Sequence, residues 1–80
     1  MATQTRSAYP TVRRGDTGEF VLTVQRTLNV AIKANLIEDG IFGSATEEAV
    51  RRFQGREGLL EDGIVGSNTW AKLFEYFDNH

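Results

Sequence analysis

Leu36-Ile37-Glu38-Asp39-Gly40-Ile41-Phe42-Gly43-Ser44-Ala45-Thr46 returns, little changed, as Leu59-Leu60-Glu61-Asp62-Gly63-Ile64-Val65-Gly66-Ser67-Asn68-Thr69. Eight of the eleven positions are identical at an offset of 23 residues. Two copies are too few for a solenoid, so the repeat reads as a duplicated loop-helix unit. Asp-Gly is turn chemistry, because glycine takes positive φ without steric cost. The apolar pair that follows, Ile41-Phe42 or Ile64-Val65, can tuck each loop onto a core. Gly-Ser then enters a helix. Ser44 and Glu47 have capping-box spacing. In the second copy Ser67 or Asn68 can cap, and Trp70 stands where the glutamate would be.

Working outward, each unit leads into an amphipathic helix. Thr46, Ala49, Val50 and Phe53 predict a buried stripe on a helix over 44–56, ended by Gly58. Glu47, Glu48, Arg51 and Arg52 fall mostly on its wet side. Trp70, Leu73, Phe74 and Phe77 recur at i, i+3, i+4 and i+7 on a helix over 67–77. Upstream, Val21, Val24, Leu28 and Ile32 mark a third helix over 17–33, with Asp16 and Glu19 at capping-box spacing. Gly15 and Gly18 punctuate the turn before it. Pro10 keeps Tyr9 extended. No segment alternates long enough for a strand, although short pieces near Ile41 and Ile64 could pair locally. The expected fold is all-α: a three-helix bundle over 10–78 with two similar Asp-Gly loops. Residues 1–9 read as a disordered lead-in, and the tail from Asp78 should fray.

Composition removes several functions. The 80 residues contain no cysteine, and the lone histidine is His80. Disulfide frameworks, thiolate zinc sites and histidine clusters are therefore out. The net charge of −2 splits into +3 over 1–36, −2 over 37–60 and −3 over 61–80. That balance does not suit nucleic acid. No apolar run approaches the roughly 18 residues of a membrane span, and no signal peptide is visible in residues 1–10. Ser7, Ser44 and Ser67 have no histidine base in the body of the chain. Glu47 and Glu48 are helix neighbours that do not face each other. Catalysis is thus unsupported. A calcium loop also fails, since twelve-position counting puts Ile37 and Thr46, or Leu60 and Thr69, where oxygen ligands belong.

The ordered set of motifs resembles the peptidoglycan-binding domain of the three-helix type, found on cell-wall hydrolases and phage endolysins. The resemblance is carried by Arg14-Gly15-Asp16-Thr17-Gly18 and by Val21, Val24, Gln25 and Leu28. It continues in Asp39-Gly40-Ile41-Phe42-Gly43 with Thr46, then Ala49, Val50, Phe53, Gln54, Gly58 and Leu59. Asp62-Gly63-Ile64-Val65-Gly66 with Thr69, Trp70 and Leu73 completes it. The match covers residues 10 to about 74. Ser44 and Ser67 stand where the family often has proline, and Asn29 to Asn35 lack the glycine that usually ends the first helix. Some metalloprotease propeptides share the fold but use a cysteine, which this chain lacks.

The resemblance implies a non-catalytic module, without cofactor or metal, that binds peptidoglycan through glycan or stem peptide. It would hold an attached or partner hydrolase at the wall, acting as a monomer. Its setting would be the cell wall, an extracellular or periplasmic space, or release at phage lysis. The rival is a protein-interaction or structural domain of the same fold. Candidate ligand-binding residues are Asp39, Gly40, Phe42, Gly43, Thr46, Gln54, Asp62, Gly63, Gly66, Asn68, Thr69 and Tyr76. The loops would border a shallow groove with backbone amides and the Thr46 and Thr69 hydroxyls. Each also has a purely structural reading. Trp70 lies on the core stripe, whereas Tyr76 is off it. Gln25 and Gln54 suit either ligand contact or a buried hydrogen bond. Arg13, Arg14, Arg51, Arg52 and Arg56 suit either carboxylate pairing or a solvated face.

Overall fold

A computed structural model describes residues 9–77. The lead-in through Ala8, the tail from Asp78 and the Phe77 side chain lie outside the described residues. Helix α1 spans Glu19–Ile32, α2 Ser44–Arg56 and α3 Ser67–Phe77. Helix α1 packs against both α2 and α3. The stripes foreseen from spacing form the core: Val21, Val24 and Leu28 from α1, Ala49, Val50 and Phe53 from α2, Trp70, Leu73 and Phe74 from α3. Phe42 and Val65, the second member of each loop's apolar pair, are buried among them.

Both capping boxes are absent, for a common reason. Each helix begins one or more residues away from where the box needs it. The cap of α1 is Gly18, at φ 122°, with no side-chain cap. The Leu22 amide donates to the Gly18 carbonyl at 3.1 Å, which starts the helix there. Asp16 instead accepts the Arg13 amide at 2.9 Å across the Gly15 turn. The cap of α2 is Gly43, again without a side-chain bond. Ser44 is therefore already helical, and Glu47 sits one position past the box. Its carboxylate meets Arg14 at 3.5 Å and Arg51 at 3.8 Å.

The helix ends follow local chemistry. Gly58, at φ 74°, takes the left-handed position after α2. Its amide donates to Gly55 at 3.3 Å, and the Leu59 amide to Gln54 at 2.8 Å. That pair of bonds is a Schellman motif. After α1 no glycine is available, and Lys33 and Asn35 adopt left-handed φ of 53° and 62°. A non-glycine residue pays roughly 1–2 kcal/mol for that conformation. Asn29 holds the turn: its Oδ1 accepts the Leu36 amide at 2.7 Å, and its Nδ2 donates to the Leu36 carbonyl at 3.0 Å. Helix α1 consequently ends within one residue of the position read from the sequence.

No strand forms among the described residues, but the loops do pair. They pair with the segment before α1 rather than with each other. Val12 and Val65 exchange two backbone bonds of 3.2 and 2.9 Å. Gly15 donates to Phe42, Phe42 to Asp16 and Gly18 to Gly40, each at 2.9 Å. One extended strap thus stitches both loops to the body. Its start is anchored where the Trp70 indole donates to the Pro10 carbonyl at 2.7 Å. Tyr9, which the sequence reading leaves with the lead-in, lies with its ring 4.8 Å from Trp70 and 4.9 Å from Phe74.

Candidate functional site

Each loop is held by one buried glutamine. Gln25 on α1 and Gln54 on α2 are both 1% exposed. The Gln25 Oε1 accepts the Gly40 amide at 2.9 Å, which fixes the orientation of the side-chain amide. Its Nε2 donates toward Asp39 Oδ1 at 3.2 Å, the Ile41 carbonyl at 3.0 Å and Thr46 Oγ1 at 3.1 Å. Two hydrogens face three oxygens, so one is shared. Gln54 repeats the set. It accepts from Gly63 at 2.9 Å and donates to Asp62 at 3.0 Å, Ile64 at 3.0 Å and Thr69 at 3.1 Å. Both glutamines are thus buried and hydrogen-bonded within the fold, and each also lines the groove beside its loop. The Thr46 and Thr69 hydroxyls accept these bonds inside the fold.

Each aspartate closes its own turn. Asp39 Oδ1 accepts the Ile41 amide at 3.0 Å, and Asp62 Oδ1 accepts the Ile64 amide at 3.0 Å. These backbone bonds, helped by the glutamine amides, hold both carboxyls below the usual aspartate range. Desolvation opposes the shift at both, and at Asp62 the nearby Arg13 charge assists it. Both aspartates are therefore anionic at neutral pH.

The two loops line separate grooves that share no residue. The larger, about 660 Å³, lies beside the first loop. It is lined by Gln25, Asp39, Ile41, Gly43, Ser44 and Thr46 from the tie and the loop, by Asn35 and Leu36 from the segment before the loop, and by Glu48 and Arg52 from α2. The smaller, about 210 Å³, is lined by Gln54, Leu59, Leu60, Asp62, Ile64, Gly66, Ser67, Asn68 and Thr69. Every one of those nine has its counterpart in the larger groove. The larger adds Ala34, Asn35, Glu48, Ala49 and Arg52.

The candidate residues fall into three sets. Asp39, Gly43 and Thr46 meet in the larger groove; Gln54, Asp62, Gly66, Asn68 and Thr69 meet in the smaller. Gly40, Gly63 and Phe42 are buried and line neither groove. Tyr76 also lies away from both, its ring 5.7 Å from Phe53 and its hydroxyl donating to Glu57 at 2.8 Å. That hydrogen bond raises the Tyr76 pKa, with desolvation adding to it. The sequence reading left Glu48 and Arg52 out of the candidate set. Their signal was present: 45, 48, 49 and 52 share one helical face with the loop end. Among the described residues no cluster of three or more His, Cys, Asp or Glu side chains could hold a metal ion.

A family model described as "Putative peptidoglycan binding domain" matches residues 17–73. The zinc D-Ala-D-Ala carboxypeptidase of Streptomyces albus G is 41% identical over 73 residues, spanning 86% of this chain. This chain covers only 28% of that enzyme's length. The crystal structure of the SleB N-terminal domain aligns with TM-score 0.80 and 34% identity, covering 84% of this chain and 92% of that one. The Burkholderia AP3 phage endolysin aligns with TM-score 0.76 and 49% identity, over 81% of this chain and 25% of the endolysin.

Proposed function

Because the chain belongs to the peptidoglycan-binding domain family, we propose that it binds peptidoglycan in the groove beside the first loop and keeps a hydrolase close to the wall. The observation that carries this reading is the groove itself. Its volume of about 660 Å³ falls in the range of ligand sites, whereas the other, at about 210 Å³, falls below it. The groove offers the mixed surface that a glycopeptide needs. Ile37 and Ile41 are 78% and 56% exposed and give apolar contact. Asn35, Ser44, Asp39, Glu48 and Arg52 give polar contact. Gly43 caps α2 without a side-chain bond, and the first residues of the helix, whose amides a helix leaves without an internal partner, line the groove.

In this reading the domain performs no chemistry. It works as a monomer and raises the local substrate concentration for an attached or partner enzyme. The site of action is the wall, whether the protein reaches it from an extracellular space or at phage lysis. The reading involves no membrane and no nucleic acid as partner. Among the described residues no helix is long and apolar enough to cross a membrane. Cosedimentation with purified sacculi tests the reading. The folded domain should pellet with the wall in a saturable manner. A domain that stays in the supernatant at the highest sacculus concentration sinks it.

A further inference from the structure

Helix α2 carries two Glu-Arg pairs at i, i+4, one position apart. Glu47 and Arg51 close on each other at 3.8 Å, outside the larger groove. Glu48 and Arg52 line that groove, and neither side chain has a hydrogen bond or ion pair among the described residues. Spacing and order are the same, and the Glu-before-Arg arrangement favours pairing. The difference is that the second pair borders open volume. Asp39 lines the same groove; its carboxyl is anionic and its Oδ1 is already committed to Gln25 and Ile41. The groove therefore holds two carboxylates and one guanidinium. A ligand with only a carboxylate would meet net repulsion, and one with only an ammonium would leave Arg52 unused.

We infer that the groove takes an α-amino-acid head, with its ammonium between Glu48 and Asp39 and its carboxylate on the Arg52 guanidinium. The guanidinium fork matches a carboxylate in two parallel bonds. Glu48 serves the ammonium as a charge-assisted acceptor. The second loop lacks this pair. At the same 23-residue offset Ala71 stands for Glu48 and Glu75 for Arg52, so the charge that would receive the carboxylate is reversed there. Resting on the wall-binding reading, this selects the stem peptide as the part of peptidoglycan that is read. It further selects stems whose diamino acid keeps a free amino-acid end, as diaminopimelate does and lysine does not.

The test is titration of the domain with two soluble muropeptides that differ only in diaminopimelate or lysine at the third stem position. Binding is read by chemical shifts and calorimetry. Wild type should bind the diaminopimelate form at least about tenfold more tightly, roughly the worth of one charge-assisted contact. Arg52→Gln should bring the two forms within about twofold, whereas Glu48→Gln, which faces the ammonium that both forms carry, should weaken both and leave the preference in place; melting should be unchanged in either variant because both side chains are exposed. Equal binding of the two forms by wild type overturns the inference and leaves wall binding intact. A preference that survives in Arg52→Gln overturns it too. Absence of binding to either form, together with no cosedimentation with sacculi, overturns both.

Discussion

The two Asp-Gly loops are nearly the same in sequence and use the same internal bonds, yet only the first opens into a groove of ligand size. The cause lies in what precedes each loop. From Gln25 to Asp39 there are 14 positions, but from Gln54 to Asp62 only 8. In the second copy the Schellman turn at Gly58 delivers the chain from α2 straight into the loop. In the first, the six additional residues make the left-handed turn through Lys33 and Asn35. Ala34 and Asn35 then join the lining of the larger groove, which the second copy has no residues to match. Loop chemistry is therefore about folding, and linker length decides whether a cavity accompanies it.

Substituting the two glutamines gives the largest effect. Gln25→Leu and Gln54→Leu each strand a buried glycine amide and three acceptors, and each should cost about 3 kcal/mol in urea unfolding. The variants should differ in function. Gln25→Leu weakens sacculus binding because Asp39 and Thr46 lose their hold, while Gln54→Leu binds like wild type under conditions where it remains folded. Equal loss of binding in both would erase the functional distinction between the grooves.

The loop glycines sharpen the comparison at smaller scale. Gly40 and Gly63 have φ of 73° and 75°, so alanine is strained at either by roughly 1 kcal/mol or more. A Cβ at Gly40 would lie 3.2 Å from the Gly18 backbone oxygen, whereas one at Gly63 would lie 2.9 Å from Glu47 Cγ. Backbone in the strap cannot turn aside, and a glutamate side chain can. Gly40→Ala should therefore destabilise by about 2 kcal/mol, and Gly63→Ala by about 1 kcal/mol. Thermal melts would register these as roughly 10 °C and 5 °C. The reverse order would show that the Glu47 ion pairs are stiffer than the strap.

Acid unfolding gives the smallest difference. Both aspartates titrate below their unfolded value of about 3.9. The stability they add is present above that value and is lost as pH falls through the folded pKa. Their contribution should be level from pH 5 to 8 and decline below about pH 4. Asp39→Asn and Asp62→Asn should each flatten that acid limb, by similar amounts since both carboxyls accept the same pair of donors. A limb unchanged in both variants would place the acid sensitivity elsewhere.

The helices were legible because their stripes are simple: Val21-Val24-Leu28, Ala49-Val50-Phe53 and Trp70-Leu73-Phe74 obey helical spacing without interruption. Gly58 was legible because a helix end needs a left-handed residue. The capping boxes misled, since Ser44 and Glu47 satisfy a spacing that holds only if the chain enters the helix at Ser44. The strap, held by backbone bonds from Val12 to Gly18, sets the entry at Gly18 for α1. The lining of the larger groove was partly legible. Asp39, Gly43 and Thr46 follow from the repeat, and Arg52 was one of five arginines suited to a carboxylate, but only its helical face shared with the loop end, and that of Glu48, set these two apart from the solvated side of α2.

By itself the sequence determined three helices, two equivalent turns and the absence of a nucleophile with its base, because these depend on residue type and short-range spacing. Only the tertiary structure decided that Gln25 and Gln54 are interior ties and that one strap joins both loops. It also separated a single imagined groove into a large one and a small one. Those outcomes depend on which distant backbone groups meet and on how much volume a six-residue difference leaves between them, and neither quantity is written in local spacing.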